Sequence, residues 1–264
     1  MLNKNFSYQS ANIFYRTTGK GKPVVLIHGF GEDGEVWINQ VNFLKDHFAL
    51  IIPDLPGSGK SEMITDMSIQ GMAEVIKTLL SEEKIDTCIL IGHSMGGYIT
   101  LAFAEKHPQL LTAFGLFHSS AFADNEEKKA TRLKAVEFIK NNGSYSFFKT
   151  STPGLFSADW SNNHQHEIDA LIDKIKDFAP EALVQYYKAM IARPDRTAVL
   201  KTFNGPILFI IGTHDKAVPF EQSMQQCYLP AQSHIHILRN SAHMGMWEEA
   251  DKANTALLEF LSSQ

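Results

Sequence analysis

No stretch of the 264 residues approaches the roughly 18 consecutive apolar positions that a membrane-spanning helix needs, so no such span is expected. The first ten residues, Met1 to Ser10, are polar and lack the apolar core of a secretory leader, which predicts a cytoplasmic location. Cysteine is scarce. Cys88 falls in an expected central strand and Cys227 in an expected helix, so both read as single buried thiols, a disulfide framework is excluded, and a reducing compartment fits. An excess of positive charge is missing too: 24 Lys and Arg stand against 29 Asp and Glu. A formal net charge of −5 argues against nucleic acid or an anionic membrane as the main partner. There is no internal repeat and no low-complexity segment. What remains, 44% hydrophobic and 20% charged, has the composition of an ordinary globular chain long enough to bury a sizeable core.

The patterning is that of alternating strands and helices. Phe6 to Tyr8 and Ile13 to Tyr15 alternate apolar and polar residues and predict a short hairpin. Val24 to Ile27, Ala49 to Ile52, Cys88 to Ile91 and Ile207 to Ile211 are unbroken apolar runs, as in strands covered on both faces, and Leu110 to Phe117 reads as a further strand. Helical spacing lies between them, at 36–48, 68–81, 96–106, 220–228 and 248–261. From Ala121 to about Arg193 strands disappear and amphipathic helices replace them, over 126–141, 165–178, 180–192 and a short piece at 144–149. This predicts an α/β core formed by residues 1–120 and 194–264, with a helical cap, 121–193, inserted between two strands of a mostly parallel sheet.

Two phosphate-binding patterns fail on inspection. Gly29-Phe30-Gly31-Glu32-Asp33-Gly34 fits G-x-G-x-x-G after a strand, but Glu32 and Asp33 would set two negative charges where a pyrophosphate must lie. A hairpin also precedes this strand, whereas the fingerprint opens the first βα unit. Gly57-Ser58-Gly59-Lys60-Ser61 resembles the end of a phosphate loop, yet the glycine required five positions before Gly59 is Asp54.

Gly92-His93-Ser94-Met95-Gly96 is the G-x-S-x-G elbow in its required context, between an apolar strand and an uninterrupted helix. Ser94 would sit at the apex of a strained turn. Gly92 and Gly96, without a Cβ, would let strand and helix close on either side of it. A serine hydroxyl needs a base, and the base needs a third group to orient it. Asp215 follows the strand at 207–211, and His243 lies just past the strand at 235–238, in the chain order serine, acid, histidine. All three fall at the carboxyl edge of the sheet, where ligands gather in open parallel sheets. His93, His28, His118 and His214 compete as base. His93 adjoins Ser94 and should point away from it, His28 and His118 precede the acid, and His214 is the acid's own neighbour. The N–H groups of Met95 and Phe30 are the candidate donors for a developing oxyanion, Met95 at a helix N-terminus that favours negative charge.

These residues resemble the α/β-hydrolases. The likeness is carried by His28-Gly29-Phe30-Gly31, the loop Asp54 to Ser61, Gly92-His93-Ser94-Met95-Gly96-Gly97, Gly212-Thr213-His214-Asp215 and Ser241-Ala242-His243. The resemblance implies an eight-stranded, mostly parallel sheet with a helical cap after its sixth strand. It also implies Ser94 as nucleophile, Asp215 as acid, His243 as base, and Phe30 with Met95 as the oxyanion hole. The chain departs from the family in lacking the proline often found soon after the histidine, within Met244 to Ala250.

A serine nucleophile leaves ester, thioester and amide hydrolysis, with small carboxylic esters the first expectation and no cofactor required. A carbon–carbon bond hydrolase and a low-turnover ligand receptor are the alternatives. The residue before the serine is His93, where carbon–carbon bond hydrolases of the fold commonly carry asparagine. An apolar, aromatic pocket is expected from Phe30, Trp37, Phe122, Phe147, Phe148, Trp160, Tyr187 and Met244, with Tyr145, Phe156 and Tyr186 as further candidates. Lys128, Lys129 and Arg132, beside Glu126 and Glu127, read as a solvated face. The pairs His164/His166 and His234/His236 lack a third ligand, so no metal is assigned.

Overall fold

The computed structural model describes all 264 residues. Eight strands form one sheet: β1 (Leu2–Tyr8), β2 (Ala11–Thr18), β3 (Pro23–Ile27), β4 (Ala49–Pro53), β5 (Cys88–His93), β6 (Leu111–Phe117), β7 (Ile207–Gly212) and β8 (Ser233–Leu238). Their order is β1-β2-β4-β3-β5-β6-β7-β8. The pairs β1–β2 and β2–β4 are antiparallel and the other five are parallel. The hairpin extends further at both ends than its apolar alternation indicated, because ladder hydrogen bonds continue through polar residues such as Asn3 and Arg16.

Helices α1 (Ile38–Leu44), α2 (Ile69–Glu82) and α3 (Met95–Lys106) connect the first parallel strands. Alternation along each strand divides the core in two. Val25, Ile27, Leu90 and Phe209 face one layer, with Met72, Leu79 and Phe103 of α2 and α3. Val24, Leu26, Ile91 and Leu208 face the other, with Leu44 of α1 and Leu257 and Phe260 near the C-terminus. Each such side chain is worth about 1.5–3 kcal/mol when fully buried. Helix α2 starts where Ser68 Oγ accepts the Gly71 N–H at 3.0 Å, a cap worth about 1 kcal/mol.

Between β6 and β7 the chain forms α4 (Glu126–Ser151), α5 (Ala158–Asn163), α6 (Gln165–Ile175), α7 (Pro180–Ala192) and α8 (Thr197–Thr202). The two helices expected at 126–141 and 144–149 join into α4 across a kink at Gly143, where φ is 78°. The six-residue helices α5 and α8 went unpredicted, being too short for a 3.6-residue repeat to register. After β7 come α9 (Phe220–Gln226), α10 (Gly245–Glu248) and α11 (Ala250–Ser262). The single final helix expected from Glu248 is instead broken at Glu249, whose φ of −130° and ψ of 52° are non-helical. No helix is long and apolar enough to cross a membrane.

Candidate active site

The elbow is built as sterics require. Ser94 sits between β5 and α3 with φ 50° and ψ −114°, a conformation costing about 1–3 kcal/mol for a residue with a Cβ. A Cβ on Gly92 would run into the Gly96 carbonyl, and one on Gly96 into the carbonyls of Ile27 and His28. The turn is held by the Ser94 N–H donating to Phe117 O at 3.0 Å and by the Ser119 hydroxyl donating to Ser94 O at 2.7 Å.

Three loops at the carboxyl edge bring Ser94, Asp215 and His243 together. His243 Nε2 lies 2.9 Å from Ser94 Oγ, and His243 Nδ1 lies 2.8 Å from Asp215 Oδ2. A carboxylate only accepts, so Nδ1 carries the hydrogen and Nε2 is left to take the serine proton. Asp215 Oδ1 accepts the N–H groups of Ala217 and Val218, both at 2.8 Å. Burial alone would raise the Asp215 carboxyl, but His243 and His118 outweigh it and hold the group well below the usual carboxylate range.

His118 was set aside in the sequence because it precedes the acid, and the structure puts it on that acid. It follows β6 with φ 48°, is buried, and donates from Nδ1 to Asp215 Oδ2 at 3.2 Å. Its Nε2 is buried without a partner, and burial pushes the ring down to about 4, so it is neutral. His118, Asp215 and His243 are close enough to be considered as a metal site, but their facing atoms already hydrogen-bond one another.

His93 turns away from Ser94, as its place beside the serine indicated. Its Nδ1 meets Glu32 Oε2 at 3.0 Å and its Nε2 meets the His243 carbonyl at 3.0 Å. Both partners are acceptors, so both ring nitrogens donate and the ring is an imidazolium. Burial opposes that charge, yet Glu32 outweighs it and the His93 pKa is raised. Glu32 Oε2 also accepts the Gly29 N–H at 2.6 Å, so a single ion pair ties the loop holding Phe30 to the loop holding His243. Phe30 N–H donates to no group of the protein, and Met95 opens α3, so its N–H lacks an intrahelical acceptor.

Glu248 is a second carboxylate that the sequence reading missed. It accepts the N–H groups of Ala242, Met244 and Ser157 at 3.0, 3.1 and 2.8 Å, and so fixes the loop around His243 where the family's proline is lacking. A carboxylate a few residues from a candidate histidine was the only available signal.

A cavity of about 560 Å³ opens over Ser94 and His243. Of the aromatic and methionine residues expected in its wall, Phe30 and Tyr187 line it and the others do not. Trp37 is fully buried and edge-on to Phe117, with centroids 5.3 Å apart. Phe147 packs behind Phe30 at 6.0 Å, and Phe148 against Phe178 at 6.1 Å. Trp160 is stacked between Phe156 and His164, Phe122 lies outside the lining, and Met244 is in the core. Tyr186 donates to Pro56 O at 2.5 Å, and Tyr145 is exposed. Aromatics at helical spacing here mostly hold the inserted helices together. Conversely Lys128 and Arg132, expected on a solvated face, line the cavity.

A sequence profile of the α/β hydrolase fold matches residues 22–128. A protein provisionally named carbamate hydrolase RutD, from Agrobacterium fabrum, is 27% identical over 93% of this chain and 95% of its own length. The 2-hydroxy-6-oxononadienedioate/2-hydroxy-6-oxononatrienedioate hydrolase of Escherichia coli K12 is 27% identical over 99% of this chain and 94% of its own. A thermophilic esterase from Thermogutta terrifontis superposes with a TM-score of 0.93 at 27% identity, covering 100% of this chain and 99% of that one. Hydrolysis is the chemistry these names share, and by strand order, profile match and superposition the chain has the α/β-hydrolase fold.

Proposed function

We propose that the protein is a serine hydrolase of carboxylic esters, with Ser94 as nucleophile, His243 as general base and acid, and Asp215 as the group that orients it. The observation that carries this is the unbroken path from Ser94 Oγ through the His243 ring to Asp215, with steps of 2.9 and 2.8 Å. In the cycle, Ser94 attacks the carbonyl as its proton passes to His243 Nε2. The tetrahedral oxyanion is met by the N–H groups of Phe30 and Met95, and collapse expels the alcohol, protonated by His243. Water, deprotonated by the same nitrogen, then releases the acid from the acyl-serine. The helices of residues 121–193 act as a cap that shapes the substrate cavity.

Steady hydrolysis of p-nitrophenyl acetate and butyrate is expected, abolished in Ser94→Ala, with a fluorophosphonate probe labelling Ser94. Labelling without turnover would mean that the site is not an ester hydrolase. A second enzyme reading is carbon–carbon bond hydrolysis of a ring-cleavage product, favoured by the 27% identity to the Escherichia coli hydrolase over 99% of this chain. A vinylogous diketone consumed faster than either ester would select it.

A further inference from the structure

The cavity lining at Lys128 and Arg132, with the residues packed behind it, carries charge that ester hydrolysis does not use. Asp124 lies between Arg132 Nε at 2.7 Å and Arg193 Nη2 at 2.9 Å, so two guanidiniums share one carboxylate. The side chains of Arg132 and Arg193 are only 13% and 4% accessible, so one positive charge is left without a counterion at a largely buried place. Lys128 Nζ rests on a neutral acceptor, Ala217 O, at 2.8 Å, and forms no ion pair. The acidic groups on the lining are Glu127, which is exposed, and Glu32, whose charge is matched by His93.

Donors are also left free in the cavity lining. Arg132 Nη2 donates to no group of the protein. The Tyr98 hydroxyl likewise makes no hydrogen bond, although the residue is 2% exposed and its ring lies under the Arg193 guanidinium at 3.8 Å. Burial alone would raise the Tyr98 phenol, but Arg193, Lys128 and Arg132 outweigh it and draw the group below its ordinary value, so its oxygen sits in a positive field. Tyr98 follows Ser94 by one turn of α3, about 5.4 Å along the axis, and both line the same cavity.

We propose that the substrate hydrolysed at Ser94 carries a carboxylate, bound by the Tyr98 hydroxyl, the Lys128 ammonium and Nη2 of Arg132. This presupposes the hydrolase reading above and narrows it from esters at large to esters bearing an acid group a short chain away from the scissile carbonyl. Three side chains with free donors line one cavity whose wall bears excess positive charge, and the two oxygens of a carboxylate would satisfy both needs at once.

The test is a pair of substrates alike in shape and different in charge, monomethyl adipate against methyl 6-methylheptanoate. A second pair, 5-acetoxypentanoate against 5-methylhexyl acetate, puts the charge on the alcohol side. In one of the two pairs kcat/KM should favour the anion by at least about tenfold, as a charge-assisted hydrogen bond would give. Tyr98→Phe, which removes one oxygen and keeps the ring, and Arg132→Gln should each lower that ratio by about tenfold, and Arg132→Lys should recover part of it. Turnover of p-nitrophenyl acetate with no preference for the anion in either pair would overturn the proposal and leave the hydrolase reading intact. Calorimetric binding of adipate to Ser94→Ala, weakened in Ser94→Ala/Tyr98→Phe, would support the proposal even if no ester were turned over, a result that would sink only the hydrolase reading. Inorganic phosphate binding more tightly than adipate would overturn the carboxylate assignment.

Discussion

The sheet edge and the inserted helices face each other across one cavity, and they treat charge in opposite ways. On the edge each carboxylate that holds the site is satisfied within the protein. Asp215 takes two ring N–H groups and two backbone N–H groups, Glu32 matches His93, and Glu248 collects three backbone donors. In the segment between β6 and β7, two arginines divide one aspartate and Lys128 leans on a carbonyl. The closed side is preorganised, so a reaction at Ser94 would need no reorientation of its dipoles. The open side has the donors to hold the carboxylate proposed above. If Ser94 reacts and the inserted helices select, as proposed, substitutions on the two sides should fail in different ways.

The largest effect is expected at the apex of the elbow. Ser94→Ala should lower kcat/KM by about 10⁴-fold or more with the circular dichroism spectrum unchanged. Activity within tenfold of the parent would place the nucleophile elsewhere. Next comes Glu32→Ala, which leaves His93 buried and without its counterion. Urea unfolding should show a loss of about 3–5 kcal/mol, and a change under 1 kcal/mol would mean that the pair is not ionic.

The third prediction concerns acid. His118 titrates near 6.5 when unfolded and near 4 when folded, so below the first value the unfolded chain binds the extra proton. Its contribution to stability is therefore present above about pH 6.5 and is lost as pH falls toward 4, on the order of 3 kcal/mol in all. Asp215, also held below its unfolded value, adds a loss of the same sign at lower pH. Unfolding free energies measured from pH 7 to 4 should fall less steeply in His118→Phe, and an unchanged slope would contradict the assignment. The smallest effect belongs to the outer face of α4, where Lys140 pairs with Glu137 at 2.8 Å in solvent. Lys140→Ala should cost under about 0.5 kcal/mol, and a larger loss would show that this face is not merely solvated.

The sheet and its edge were legible because their signals are local. An apolar run ending at Gly92, or a strand leading to Asp215, has few physical alternatives once the next element is read. His118, Glu32 and Glu248 were not legible, because each acts on a residue distant in sequence or on backbone N–H groups that carry no letter. His118 and Asp215 are 97 positions apart and meet only because β6 and β7 are neighbours in the sheet. The inserted helices misled for another reason. Periodicity says which face of a helix is apolar but not what that face meets, so Trp160 and Phe148 were assigned to a cavity when they pack on other rings. Likewise Lys128 and Arg132 have the spacing of a wet surface, and only the placement of α4 above Ser94 turns them inward.

The order of the strands also fixes when this chemistry can begin in a newly made molecule. Ser94 leaves the ribosome 149 residues ahead of the imidazole that would activate it. At ordinary synthesis rates that interval is roughly 7–30 s, during which the serine is an inert alcohol on an unfinished sheet. A nascent chain stalled anywhere in the interval carries a hydroxyl without the proposed base, so synthesis itself would delay activity until the loop after β8 has docked.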